Sequence, residues 1–158
     1  MCAVPPQEEA PEPAREPAPE PAGRVGVVLV SHSRDVARAT AALARALTGT
    51  DDPAPVAPAG GLPDGAVGTS ADLVRRAVAE ADQGRGVVVL CDMGSAVLTV
   101  KALLADAAHG FGADADVRVA DAPFVEGAVG ALVTATAGGE VGAVLAAAED
   151  ARAYRKLP

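Results

Sequence analysis

Residues 25–30 (VGVVLV) and 86–91 (GVVVLC) are apolar at every position and rich in β-branched side chains. A strand with one wet face alternates polar and apolar residues, so an unbroken apolar run belongs to a strand covered on both faces, as in a parallel sheet. Around these runs the pattern changes to the helical period. Residues 36–47 place Ala, Val and Leu on one side with Arg38 and Arg45 on the other, which predicts a helix capped by Ser33 or Asp35. Thr69 and Asp72 have the spacing of a capping box and predict a second helix over 71–81. Further helices are predicted over 96–108, closed by Gly110, over about 128–137, and from 140 to about 155 after the Gly138-Gly139 break. Residues 117–120 read as a short strand, followed by a connection over 121–127. Residues 54–59 look extended but contain Pro55 and Pro58, which lack the N–H a ladder needs, so they fit only a sheet edge. Strand and helix thus alternate. With right-handed crossovers the expected fold is α/β, a doubly wound, mainly parallel sheet with helices on both faces.

Composition divides the chain in two. Residues 1–23 hold seven of the thirteen prolines and five glutamates against Arg15, with almost nothing to bury, and read as a disordered tail. A docking arm is one reading of that tail; composition alone favours a passive extension. Residues 24–158 are long enough for one domain with a real core and too short for two. Only three residues are aromatic, so that core must be built from Ala, Val and Leu.

The net charge of −8 speaks against nucleic acid, which needs clustered Lys and Arg. No run approaches the roughly 20 apolar residues of a membrane span, and the N-terminus has no basic and apolar leader pattern. The two cysteines, Cys2 and Cys91, support no disulfide framework and fit a reducing cytoplasm.

In folds of this kind ligands sit at the carboxyl ends of the strands, and the polar residues collect there. His32 comes after the first strand, between Ser31 and Ser33. Gly68 and Thr69 come after the weak second strand, residues 92–95 (DMGS) after the third, and residues 123–127 after the fourth. An imidazole with a pKa near neutrality is a nucleophile, and phosphoryl transfer asks chiefly for a positioned nucleophile and donors that spread the charge of three oxygens. Ser31, Ser33 and the next helix's N–H groups could supply those donors, as could the backbone of Gly68, Thr69, Gly94 and Ser95. Asp92 either orients the imidazole or merely starts a helix; the sequence leaves the two even. His109, before Gly110, reads as a cation at a helix end, and Cys91 as an inert core thiol. No spacing matches a nucleotide-binding loop or a metal site.

Taken together, residues 30–33 (VSHS), 68–69 (GT), 92–96 (DMGSA) and 122–127 (APFVEG) resemble the phosphotransferase subunits of the bacterial phosphoenolpyruvate-dependent dihydroxyacetone kinases, the DhaM family. The resemblance covers about residues 24–150. That family is similar to the mannose-type IIA domains of the sugar phosphotransferase system, and the likeness implies the same doubly wound sheet and a homodimer. It further implies that His32 takes a phosphoryl group from the phosphocarrier HPr. The group then goes to ADP on the kinase's L subunit, so that no cofactor belongs to this chain and ATP and Mg belong to the partner. Some family members continue into fused HPr-like and enzyme I-like domains; with 158 residues, the expectation here is that separate proteins supply those functions. Two alternatives stand beside this one: a IIA component feeding a sugar transporter, and a regulatory module whose phosphorylation changes its partner. A small-molecule enzyme is disfavoured, because no base pair or cofactor loop accompanies the nucleophile.

Overall fold

The computed structural model describes residues 23–158, so the tail predicted over 1–23 lies outside the described residues apart from Gly23. Four strands form one sheet: β1 (Gly26–Ser31), β2 (Val56–Gly60), β3 (Val87–Cys91) and β4 (Val117–Ala120). All pairings are parallel and the order is β2-β1-β3-β4, which puts the two wholly apolar strands in the middle. Burial on both faces is what their unbroken apolar pattern requires. The proline-bearing strand takes an edge, as Pro58 dictates.

Five helices cover the sheet: α1 (Arg34–Leu47), α2 (Ala71–Ala81), α3 (Gly94–Ala105), α4 (Phe124–Thr136) and α5 (Val141–Asp150), with a 3₁₀ turn at Ala151–Ala153. Strand residues alternate between two cores. Val27, Leu29, Val88 and Leu90 pack with Ala41, Ala131, Leu132 and Val144 under α1, α4 and α5. Val28, Val30, Val87 and Val89 pack with Val74, Val78 and Val100 under α2 and α3. Valine and alanine do the filling because small side chains let helices lie close to the strands. Among the described residues no helix is long and apolar enough to cross a membrane.

Several expected elements shift. Thr69 does not cap α2; the cap is Ser70, whose hydroxyl accepts the N–H of Leu73 at 3.3 Å, and the Thr69 Oγ1 is buried without a partner. The third helix starts at Gly94 instead of Ala96 and ends at Ala105. His109 therefore caps no helix. It lies in the following turn, exposed and 3.6 Å from Asp106, whose carboxylate accepts the N–H groups of Ala108 and His109. The fourth helix begins four residues early, at Phe124, because Pro123 supplies a fixed φ just before it, and its buried stripe starts at Gly127. The last helix stops at Asp150 and tightens into the 3₁₀ turn.

The register brings the strand ends level. Ser31 pairs with Gly60, Val30 with Cys91 and Leu90 with Ala120, so the segments leaving β1, β2, β3 and β4 all emerge on one rim. Gly60 is essential to that meeting: a Cβ there would lie 2.5 Å from the Ser33 carbonyl oxygen and 2.7 Å from the Arg34 Cα, so only glycine lets β2 pass beneath the first turn of α1.

Candidate functional site

The sheet hands His32 to the rim at the end of β1 and Asp92 at the end of β3, its immediate neighbour. The ladder continues one step beyond the paired strands, since the Asp92 N–H donates to the Val30 carbonyl at 3.0 Å. That fixes the Asp92 carboxylate against His32. Its Oδ1 lies 2.9 Å from His32 Nδ1, while Oδ2 accepts both the His32 backbone N–H and the Ser31 hydroxyl at 2.9 Å each. On the other side of the ring, the Ser95 hydroxyl from the first turn of α3 lies 2.8 Å from Nε2.

These contacts select the tautomer of the neutral ring. Burial by itself pushes the Asp92 carboxyl upward, but the bonds from the His32 N–H, the His32 ring and the Ser31 hydroxyl, together with the charge of His32, outweigh it and hold the group below its ordinary value. Asp92 is thus ionised at neutral pH and can only accept. The neutral imidazole must then carry its proton on Nδ1, which leaves the Nε2 lone pair outward and within reach of the Ser95 O–H. The His32 side chain is 18% exposed and that of Asp92 16%, enough access for one reacting group and too little for bulk water to loosen the pair.

The other candidate residues separate into support and rim. Ser31 is fully buried; its hydroxyl donates to Asp92 at 2.9 Å and its oxygen accepts the Ser33 N–H at 3.1 Å. The Ser33 hydroxyl caps α1 by accepting the Val36 N–H. Gly68 donates its N–H to the His32 carbonyl at 3.0 Å, and Thr69 bridges to Gly61 as an extension of the edge. Gly94 opens α3 with open space around it, and Met93 before it offers no side-chain cap; the Ala96 N–H already donates to the Met93 carbonyl, so among the described residues the N–H groups of Gly94 and Ser95 are the ones left without a partner. The segment after β4 starts α4 with Asp121 and Val125 exposed, and only at Gly127 does it reach the core, where an added Cβ would crowd Leu90 and Ala122. Cys91 packs against the α2–α3 core, and burial, then the charge of Asp92, push its thiol up to about 12.

Sequence reasoning misses the apolar residues around this rim. Val67, next to Gly68, is 77% exposed; Met93, next to Asp92, and Leu98, one turn beyond Ser95, are 54% and 69% exposed. A methionine between two polar site residues is the available signal. Among the described residues no group of three or more His, Cys, Asp or Glu side chains is placed to hold a metal ion.

Comparison with known proteins bears on the same residues. A family model described as "EIIA-man: PTS system fructose IIA component" matches residues 26–145. The chain is 35% identical over 134 residues to the PEP-dependent dihydroxyacetone kinase phosphoryl donor subunit DhaM of Pantoea ananatis, covering 84% of this chain and 28% of that protein. Against DhaM of Escherichia coli K12 the identity is 34% over 123 residues, covering 77% and 25%. Against a DhaM of Listeria innocua it is 30% over 103 residues, covering 65% and 75%. The chain thus spans about a quarter of the first two relatives and three quarters of the third. A crystal structure of a protein of unknown function superposes with a TM-score of 0.70 at 25% identity, over 85% of this chain and 99% of that one. A sigma-54 interaction domain protein from Enterococcus faecalis, with a TM-score of 0.60 and 14% identity over 80% and 89% of the two chains, shares the fold. With the match spanning both central strands and every residue of the His32 network, the chain belongs to the EIIA-man family of the phosphotransferase system, with DhaM phosphoryl donor subunits among its relatives.

Proposed function

We propose that this chain is a phosphohistidine carrier that accepts a phosphoryl group on His32 Nε2 and passes it on within a PEP-dependent dihydroxyacetone kinase. The observation that carries this reading is the Asp92–His32–Ser95 chain, with 2.9 Å at Nδ1 and 2.8 Å at Nε2. Nε2 attacks the phosphorus of a phosphohistidine on the donor protein; the N–P bond to the donor breaks as the new one forms, and the donor imidazole leaves. The His32 ring then carries a positive charge, which the Asp92 carboxylate stabilises across Nδ1–H. The Ser95 hydroxyl turns from Nε2 to a phosphoryl oxygen, and the N–H groups at the start of α3, with Gly94 leaving space for close approach, take the others. Ser33, Gly68 and Thr69 shape the opposite side of the rim.

The donor in this reading is HPr and the acceptor is ADP held by a kinase L subunit, so ATP and Mg stay with the partner and this chain carries no cofactor. Exposed Val67, Met93 and Leu98, next to Gly68, next to Asp92 and one turn beyond Ser95, favour a protein partner over a small molecule. A homodimer working in the cytoplasm completes the proposal.

The test is intact-mass analysis after incubation with phosphoenolpyruvate, enzyme I and HPr. Wild type should gain one acid-labile phosphoryl group and His32→Ala none, while both keep the same circular dichroism. Adding L subunit loaded with ADP should then discharge the phosphoprotein and form ATP. Discharge only to a sugar-transport component would assign the IIA alternative, and a long-lived phosphohistidine with no ATP would assign a regulatory module. Labelling of His32→Ala equal to wild type would overturn the reading.

A further inference from the structure

A groove of about 490 Å³ runs along the β2 edge of the sheet, outside the His32 network. It is lined by Arg34 and Arg38 from α1, Pro58 and Gly60 from β2, and Arg76 and Glu80 from α2. Its upper end is at the rim, where Gly60 is level with Ser31 in the ladder and Arg34 follows His32 by two residues. Three guanidiniums against one carboxylate leave this groove positive in a chain of net charge −8. Arg34 donates to the Leu62 and Pro63 carbonyls at 3.1 Å, acceptors that bring no net charge. Among the described residues Arg38 and Arg76 have no hydrogen-bond or ion-pair partner, and Asp72 at the start of α2 is paired with Arg75 at 2.6 Å.

We propose that this groove docks an acidic flank of the protein that takes the phosphoryl group from His32, an inference that rests on the carrier reading above. The charges of the two half-reactions single out the acceptor. On loading, a phosphoryl dianion comes to a neutral imidazole. On unloading, the phosphoryl group on His32 must meet a second anion, the diphosphate of ADP, and the two repel each other. Fixed positive charge beside the rim therefore serves unloading more than loading. Arg38 lies four residues beyond Arg34 in α1 and Arg76 six beyond Ser70 in α2, about 6 and 9 Å down their helices from the rim. Those distances are comparable with the screening length of about 8 Å at physiological salt, so both charges act on a protein seated at the rim. Pro58 has no N–H to give, so no added strand pairs there and the association rests on side-chain charge.

The experiment uses the full chain carrying Arg38→Ala with Arg76→Ala, both exposed positions on helix surfaces, so the fold should persist by circular dichroism. Phosphoprotein is prepared with phosphoenolpyruvate, enzyme I and HPr, then discharged to L subunit loaded with ADP while ATP formation is followed. The KM for the L subunit should rise about ten-fold in the double variant with kcat unchanged, and loading by HPr should proceed as in wild type. Raising salt from about 50 mM to about 0.5 M should raise the wild-type KM steeply and that of the double variant little. Arg38→Lys with Arg76→Lys, which keeps the charge, should retain a KM close to wild type. The proposal is overturned by a wild-type KM in the alanine variant, by a loss that falls on loading by HPr, or by an equal loss in the lysine variant. Wild-type phosphoprotein that never discharges to ADP on the L subunit would instead overturn the acceptor assignment itself, and the groove's role with it.

Discussion

Asp92 shows how one side chain can hold a site by three bonds at once. Its two oxygens meet the His32 ring, the His32 N–H and the Ser31 hydroxyl, all at 2.9 Å. Asp92→Asn keeps the size but offers an amide where Nδ1–H needs an acceptor, so the ring loses its fixed tautomer. Phosphoryl acceptance should slow by about ten-fold or more in quench-flow measurements; a rate equal to wild type would reduce Asp92 to a turn residue. The same bonds give a pH signature. A carboxyl held below its ordinary value in the folded state contributes stability above the unfolded pKa, and that contribution is lost as pH falls through the folded one. Between about pH 5 and pH 2 the urea midpoint of wild type should therefore fall further than that of Asp92→Asn. Next to it, Cys91 illustrates the opposite case: burial, then the neighbouring carboxylate, raise its thiol to about 12. In the Cys2→Ser background Cys91 should not react with a thiol reagent at pH 8 until the protein is unfolded, and rapid reaction of the native protein would show that the α2–α3 core opens.

At the scale of elements, the helix starts carry most of the difference between pattern and structure. Thr69-x-x-Asp72 and Ser70 are equally good caps by residue type, and only backbone direction selects Ser70. Ser70→Ala should destabilise by about 1 kcal/mol in urea titration. Thr69→Val, which replaces a buried hydroxyl that has no partner by a group of the same shape, should be neutral or slightly stabilising; a larger loss from Thr69→Val than from Ser70→Ala would restore the Thr69 cap. Helix α3 escapes the pattern for a related reason. Its first residues, Gly94 and Ser95, are poor helix formers, so propensity alone does not announce this start, which brings the Ser95 hydroxyl to 2.8 Å from His32 Nε2. The strands are legible almost to the residue, because a run such as VVVL admits no other burial and Pro58 admits no interior place.

Across the whole molecule, the two cores share one sheet, so loss of either releases the rim. Leu29, fully buried under α1 and α4, supports His32 from three residues away. Leu29→Ala should cost about 2–5 kcal/mol, measured by urea titration, and should slow phosphoryl acceptance only under conditions where unfolded protein accumulates. A folded Leu29→Ala protein with a slowed rate would mean that the core sets the geometry of His32 directly. The edge strands also acquire their meaning at this scale. β2 is bounded by α1 and α2, whose Arg34, Arg38 and Arg76 line one groove, a juxtaposition that no local pattern announces.

The sequence by itself determined the fold class, the central place of β1 and β3, the edge place of β2 and the position of His32 at a strand end. Each comes from a local constraint: continuous burial, a missing N–H, or a polar residue that cannot stay in a buried strand. The tertiary structure decided which polar residues meet. The level register of β1 and β3 joined Asp92 to Nδ1, the start of α3 joined Ser95 to Nε2, and the Ser31 hydroxyl was turned to the Asp92 carboxylate. Those outcomes depend on distances between residues about 60 positions apart, fixed by hydrogen bonds across the sheet and by the glycine that lets β2 pass under α1.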